Sequence, residues 1–318
     1  MDRVIALLAP GQGAQSVGML SPWLALDGAA DRIALWSEAT GLDLHRLGTT
    51  AHAEEIKDTA VTQPLVVALS LLVAEELVRR VDLPPDAPVA GHSVGELTAA
   101  AVAGVLTADE AVALAAVRGR EMAAACALEP TGMSAVLGGD PDDVAAMLAK
   151  LGLDAANHNG AGQIVAAGRL DSLAALEQHK PPRARVKPLP VAGAFHTRFM
   201  IHAEHALAES AAQLTAKDPS RPLLSNADGE VVADGAEMLR RLVAQVTKPV
   251  RWNSCMVALH ALAVTATVEL PPAGTLSGLV RRDLRGAVTL ELKAPEDFDK
   301  VADLIRAHPA VVHSGSPA

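Results

Sequence analysis

Val89-Ala90-Gly91-His92-Ser93-Val94-Gly95-Glu96-Leu97 is the stretch whose reading decides the fold. Val89-Ala90 is a brief apolar strand signal. Gly91-His92-Ser93-Val94-Gly95 follows with the spacing G-x-S-x-G. Beyond it, Val94, Leu97, Ala101 and Val105 recur on one helical face. A strand that turns abruptly into a helix is the setting of a nucleophile elbow. The serine sits on a strained bend, and glycines flank it because side chains there would collide with neighbouring backbone. Its hydroxyl is raised at a helix N-terminus, where free N–H groups favour developing negative charge. The plainer reading is a Gly-rich turn with a capping serine; the strand before it and the helix after it favour the elbow.

Outward from this point, strand and helix signals alternate. Residues 4–9 are an apolar run ending at Pro10-Gly11-Gln12-Gly13, a buried strand and a turn. Residues 61–80 read as a helix with Pro64 in its first turn. Residues 83–88 form a Pro-rich loop. Thr107 and Glu110 have capping-box spacing for a helix that carries Val112, Val117 and Arg118. Such alternation predicts an α/β fold with a parallel sheet covered by helices. The middle behaves differently: strand-like 133–137, helical 141–151, strand-like 163–167, helical 171–179 and extended 186–189. This predicts a small inserted subdomain over 131–190, flanked by a large domain made of 1–130 and 191–318. After it come Phe195-His196-Thr197, two helical stretches, Pro249-Val250-Arg251-Trp252 and a strand at 264–270. The tail after Ala307 should fray. No repeat at solenoid periods is present.

Composition narrows the function classes. At roughly 150 residues per domain, 318 residues make two domains or one large domain with an insertion. Hydrophobic residues at 50% exclude general disorder, and aromatics at 2% exclude a surface that stacks bases. The net charge of −10 (27 basic, 37 acidic) argues against nucleic-acid or anionic-membrane binding. Mean hydropathy is +0.24, yet the run 65–74 stops at Glu75-Glu76 and the Ala-rich run after Glu96 stops at Asp109. Both fall short of the ~18 residues a spanning helix needs. Met1-Asp2-Arg3 leads into a strand without a signal-peptide layout, so a soluble cytoplasmic protein is expected. Cys126 and Cys255 form neither CxxC nor zinc spacing; two buried thiols and no metal are expected.

A nucleophilic serine needs a base, and eleven histidines are available. His92 lies within the elbow and points away from the hydroxyl. His202 and His205, three apart on a helix, could join His196 around a metal, but no HExxH spacing supports this and a solvated face fits better. His196 closes the apolar run 191–195 and is a candidate base, or a buried structural histidine. Gly11-Gln12-Gly13 is either a partial dinucleotide loop, with Ser16 where the third glycine should be and Asp31 as a loose ribose acid, or a tight loop whose N–H groups face the active site. Arg118, next to Gly119, could pair with Glu121 on the surface, for ~0.2–0.5 kcal/mol.

Taken together, these segments resemble the malonyl-CoA:acyl carrier protein transacylase family, relatives of the acyltransferase domains of fatty-acid and polyketide synthases. The resemblance runs through Pro10-Gly11-Gln12-Gly13-Ala14-Gln15, Thr62-Gln63-Pro64, Gly91-His92-Ser93-Val94-Gly95-Glu96, Arg118-Gly119, Asn159-Gly160 with Gln163, Gly193-Ala194-Phe195-His196, and Gln245 with Pro249-Val250-Arg251-Trp252. It implies an α/β-hydrolase-like core with a ferredoxin-like insertion. It implies Ser93 as nucleophile, His196 as base, backbone N–H groups of Gln12 and Val94 as oxyanion hole, and Arg118 as the malonyl carboxylate site. Gln245 would orient His196 through its carbonyl, and Asn159 and Phe195 would line the pocket, Phe195 favouring malonyl over methylmalonyl. No bound cofactor is implied: malonyl-CoA is substrate, and the phosphopantetheine thiol belongs to an acyl carrier protein of fatty-acid or polyketide type. Nothing demands more than a monomer. An acidic partner requires local cations on this acidic chain, either Arg183, Arg185 and Lys187 or Arg281, Arg282 and Arg285. The chain departs from the family at Glu269-Leu270-Pro271-Pro272-Ala273-Gly274, where a Gly-Pro-Gly style is usual, and at Ala9, where Phe is frequent. The competing function is a serine esterase or thioesterase, which shares the elbow but releases free acid.

Overall fold

A computed structural model describes residues 4–307. Its strands are β1 Val4–Ala9, β2 Val89–Gly91, β3 Thr131–Gly138, β4 Asp154–Gly160, β5 Gln163–Arg169, β6 Ala184–Pro188, β7 Leu223–Leu224, β8 Val231–Val232, β9 Val264–Glu269 and β10 Val288–Glu291. The larger sheet has the order β10-β9-β1-β2-β7-β8, parallel throughout except for the short β7–β8 pair. The α/β architecture is therefore as expected. Side chains of β1 alternate between two cores: Ile5, Leu7 and Ala9 join the cluster with Trp23 and Trp36, whereas Ala6 and Leu8 join Trp252 and Leu279. A strand apolar on both faces must lie between helical layers. Register then does the positioning. Ala9 stands beside Gly91, so the loop after β1 and the elbow after β2 leave the sheet as neighbours.

The helix Thr59–Arg80 begins two residues before the expected start because Asp58 caps it, accepting from the Ala60 N–H at 2.9 Å. Pro64 consequently sits inside the helix, not in its first turn. By length and composition this helix could cross a membrane, but 83% of its most apolar window is buried in the protein, so it is a core helix. The elbow helix is short, Gly95–Val102; Gly104, at φ 83°, turns the chain, and Val105 packs in the core from outside the helix. Thr107 and Glu110 form the expected capping box for the helix Ala108–Cys126.

Residues of the middle segment build a second, wholly antiparallel sheet of order β4-β5-β3-β6, with the helices Pro141–Lys150 and Leu170–Gln178 and an apolar cluster of its own around Val136, Leu148 and Leu176. Three strands were read from the sequence here and four are present. β4, Asp-Ala-Ala-Asn-His-Asn-Gly, lacks the β-branched and aromatic residues that announce a strand. Pairing with β5 and a parallel bridge from Asn157 to Val250 hold it instead, and the bridge ties the small sheet to the main domain. After β9, the departing segment is anchored by buried Glu269, which accepts from the N–H groups of Leu276 (2.9 Å) and Ser277 (2.8 Å) at the start of the helix Thr275–Asp283. Cys126 is half-buried, Cys255 buried, and both thiols are free. The tail expected to fray, with His308 and His313, lies outside the described residues.

Candidate active site

Ser93 has φ 54°, the left-handed backbone of a tight elbow. The two glycines of the motif have a steric reason. A Cβ on Gly91 would come within 2.1 Å of the Gly95 backbone, and one on Gly95 within 2.3 Å of the Ala9 carbonyl oxygen. Asn226 clamps the bend: its Oδ1 accepts from the Ser93 N–H at 2.8 Å and its Nδ2 donates to the Gly91 carbonyl at 2.8 Å. The loop after β1 presses against the same turn, since a Cβ on Gly11 would lie 2.5 Å from the His92 carbonyl oxygen. Gly11 thus serves backbone approach to the elbow, the second of the two readings of Gly11-Gln12-Gly13. Among the described residues, the N–H groups of Gln12 and Val94 have no protein acceptor, which leaves both donors available to a ligand oxygen.

His196 reaches Ser93 from the other side. Its Nε2 is 2.7 Å from the serine Oγ, and its Nδ1 is 2.8 Å from the Gln245 carbonyl oxygen. A carbonyl only accepts, so Nδ1 carries the proton and Nε2 offers a lone pair to the hydroxyl. Burial, reinforced by the Arg118 charge, pushes the imidazole down to about 3, keeping it neutral at physiological pH with its Nε2 lone pair free for the hydroxyl proton. His202 and His205 are exposed on the helix Ile201–Ala211 and take no part. His92 is held by the Asn159 Oδ1 at 2.9 Å and by the edge of Trp252. Among the described residues, no group of three or more His, Cys, Asp or Glu could hold a metal ion.

Arg118 is no surface ion pair. It is 2% exposed, and Glu121 pairs with Arg120 instead. Gly119 makes this possible: a Cβ there would lie 2.7 Å from the Thr59 carbonyl oxygen, so the two long helices pack closely enough for Gln63 to meet the guanidinium. Nη1 donates to the Gln63 Oε1 at 2.7 Å, and Nη2 donates to the Gln245 Oε1 at 2.9 Å and to the Ser93 Oγ at 3.4 Å. Its partners in the described residues are neutral oxygens. Burial lowers the guanidinium to about 10, which still leaves it charged at neutral pH. Two polar residues essential to this arrangement were not singled out from the sequence. Asn226 belongs to no recognisable motif. Glu96 closes the elbow motif with no sequence sign of a role of its own, yet it is 1% exposed and accepts from the Asn226 N–H and the Gln245 side-chain amide. Burial pushes its carboxyl up to about 8.

These groups open into a cavity of about 540 Å³ whose lining includes Gln12, Ser93, Arg118, Asn159, Phe195 and His196. All eight expected site residues therefore cluster: six line the cavity, Gln245 supports it from behind, and Val94 follows the serine. The rim adds Lys57 and Arg282. A serine with a neutral histidine, paired free amides and an uncommitted buried cation, on a parallel α/β sheet, defines the class of serine acyl-transfer enzymes.

The chain belongs to the acyl transferase domain family, whose sequence model matches residues 7–311. It is 59% identical over 302 residues to the malonyl CoA-acyl carrier protein transacylase of Mycobacterium bovis, covering 95% of this chain and 100% of the relative. It is 31% identical to the protein of that name in Escherichia coli, covering 94% and 99%. The crystal structure of MCAT from Mycobacterium tuberculosis superposes with a TM-score of 0.91 at 57% identity, covering 94% of this chain and all of that one.

Proposed function

We propose that this protein moves a malonyl group from malonyl-CoA to the phosphopantetheine thiol of an acyl carrier protein. The observation that carries the reading is the Arg118 guanidinium, buried, without a carboxylate partner among the described residues, and 3.4 Å from the Ser93 hydroxyl. The free carboxylate of a malonyl thioester lies one methylene from the carbonyl under attack, so a cation beside the serine matches it. A planar guanidinium can grip it with two parallel bonds.

In the first half-reaction Ser93 Oγ attacks the thioester carbonyl while His196 Nε2 takes the hydroxyl proton. The carbonyl oxygen becomes an oxyanion facing the N–H groups of Gln12 and Val94, each such donor being worth roughly 3–4 kcal/mol in comparable enzymes. The C–S bond breaks, the proton passes to the departing CoA sulfur, and a malonyl-serine ester remains. The carrier-protein thiol then gives its proton to His196, attacks the ester, and regenerates Ser93. The transfer exchanges one thioester for another and is close to balanced, whereas hydrolysis runs downhill. Arg118 speaks for a carboxylate-bearing acyl group, and similarity along nearly the whole chain to proteins named malonyl CoA-acyl carrier protein transacylase favours the transferase over the esterase reading. Phe195, buried beside His196, restricts the α-carbon and selects malonyl over methylmalonyl.

The carrier protein, of fatty-acid or polyketide type, docks as an acidic partner at the cavity mouth. Arg282 stands there with one donor on Gln163 at 3.1 Å and no carboxylate partner among the described residues. Arg281 is committed to Glu291, and Arg183, Arg185 and Lys187 are exposed on the small sheet's edge. The enzyme acts as a cytoplasmic monomer and needs no resident cofactor. Intact-mass measurement after mixing with malonyl-CoA tests the reading. A malonyl adduct on the wild type and none on Ser93→Ala is expected; an unmodified wild type refutes it.

A further inference from the structure

Glu96 is buried beneath the elbow and touches neither Ser93 Oγ, His196 nor the cavity. Both carboxyl oxygens accept hydrogen bonds, the pattern of the ionised group, so the assays below are run above pH 8, where the raised carboxyl is a carboxylate. Oε1 takes the Asn226 backbone N–H at 2.5 Å, and Oε2 takes the side-chain Nε2 of Gln245. The second contact fixes which way the Gln245 amide faces. With Nε2 drawn to Glu96 and to the Ser93 carbonyl at 3.2 Å, Oε1 must point at the Arg118 Nη2, 2.9 Å away. Were the amide turned over, an N–H donor would confront the guanidinium, and the cation would lose one of its two amide anchors.

We infer that Glu96 is a positioning residue for acyl-group selection: through the orientation of the Gln245 amide it aims the Arg118 guanidinium at the acyl carboxylate. The inference rests on the malonyl-transfer reading for its biological meaning, but its physical core concerns how tightly Arg118 holds a carboxylate. The hold on His196 is separate, because it runs through the Gln245 backbone carbonyl. A defect at Glu96 should thus impair recognition of the charged acyl group and leave the serine–histidine pair working.

Glu96→Gln tests this because it is nearly isosteric. The Asn226 N–H belongs to the backbone and cannot reverse, so the new glutamine must keep its oxygen there and offer its NH2 group to Gln245. Two amide donors then oppose each other, and Gln245 has to turn over. Two readouts separate the roles. p-Nitrophenyl acetate, a neutral ester, reports Ser93 and His196. Free malonate, as a competitive inhibitor of that hydrolysis, reports Arg118 without requiring acyl transfer. The expected result is a malonate Ki raised on the order of tenfold, with a matching rise in malonyl-CoA KM and p-nitrophenyl acetate turnover within twofold of wild type. An unchanged Ki, or ester turnover falling in parallel with malonate affinity, overturns the inference. If wild-type enzyme binds malonate but never forms a malonyl-serine, the transfer reading fails while the Ki comparison still decides the role of Glu96. Should Glu96→Gln not fold, Glu96→Asp draws the carboxylate back by one methylene and loosens its hold on the Gln245 amide. It must raise the malonate Ki, and a Ki equal to wild type again overturns the inference.

Discussion

Replacing Arg118 by methionine keeps an unbranched aliphatic stem in the site and removes the charge together with the N–H donors to Gln63 and Gln245. In the wild type the guanidinium is 2% exposed and has one bond from each terminal nitrogen to an amide oxygen, leaving further N–H groups to face the cavity. A carboxylate arriving there gains up to two charge-assisted bonds of about 1.5–3 kcal/mol each. Water in the open cavity supplies part of that to the free substrate, so a loss of about 2–4 kcal/mol is the fair expectation, or roughly 30- to 1,000-fold in kcat/KM for malonyl-CoA. Acetyl-CoA has no carboxylate to lose. It should load Ser93 of Arg118→Met at least as fast as in the wild type, because the variant no longer strands a buried cation. Time-resolved intact-mass loading with each thioester measures both rates. A malonyl-to-acetyl preference that survives the substitution would refute the claim that Arg118 reads the acyl group, and so would a parallel loss of both rates with an unchanged melting temperature.

Other consequences can be checked as directly. His196→Ala should slow loading by about 10²–10⁴-fold, seen as adduct formation over hours, with thermal unfolding little changed. Because His196 is pushed from 6.5 down to about 3, loading should stay flat well below pH 6 instead of halving near 6.5. The same shift sets a stability trend. Between those values the unfolded chain binds the extra proton and the native one does not, so stability falls as pH is lowered, and the urea midpoint of His196→Gln should fall less over that window. Glu96 acts with opposite sign: pushed from 4.5 up to about 8, it makes stability decline as pH rises through that interval, a slope that Glu96→Gln should flatten. Gly11→Ala places a methyl 2.5 Å from the His92 carbonyl oxygen, so the Gln12 loop must shift, and loading should drop at least tenfold with the fold retained.

Much of the fold was legible because its elements are locally self-consistent. β1 is apolar on both faces, the elbow glycines mark a close backbone approach, and Thr107 with Glu110 announces the next helix. What escaped depended on distant partners. β4 has the composition of a loop and becomes a strand only by pairing with β5 and bridging to Val250. The start of the helix Thr59–Arg80 was misplaced because Asp58, its cap, precedes the apolar periodicity. In the site, Ser93 announces itself through its turn. His196, Arg118 and Gln245 are single residues 25 to 152 positions away whose convergence no spacing encodes. Arg118 shows the limit best: beside Glu121 it looks like half of a surface pair, and only the close packing allowed by Gly119 turns it inward.

The partner of His196 explains why the site contains no acid in the usual triad position. In a hydrolase triad a carboxylate orients the histidine and stabilises the imidazolium. Here that place is taken by the Gln245 carbonyl, and the same residue's side-chain oxygen is 2.9 Å from Arg118. A carboxylate on residue 245 would have no N–H to offer Glu96 or the Ser93 carbonyl, and it would pair with the guanidinium and neutralise its charge. Neutral oxygens hold both the base and the cation in place, and among the described residues no carboxylate is bonded to the cation. The arrangement gives up part of the imidazolium stabilisation, and it leaves the histidine shifted down by burial and by the nearby positive charge. In the acyl-enzyme the bound carboxylate would itself offset the Arg118 charge beside His196. The base should therefore be stronger with malonate on the serine than in the free enzyme, favouring deprotonation of the carrier thiol at the moment when an acceptor is required.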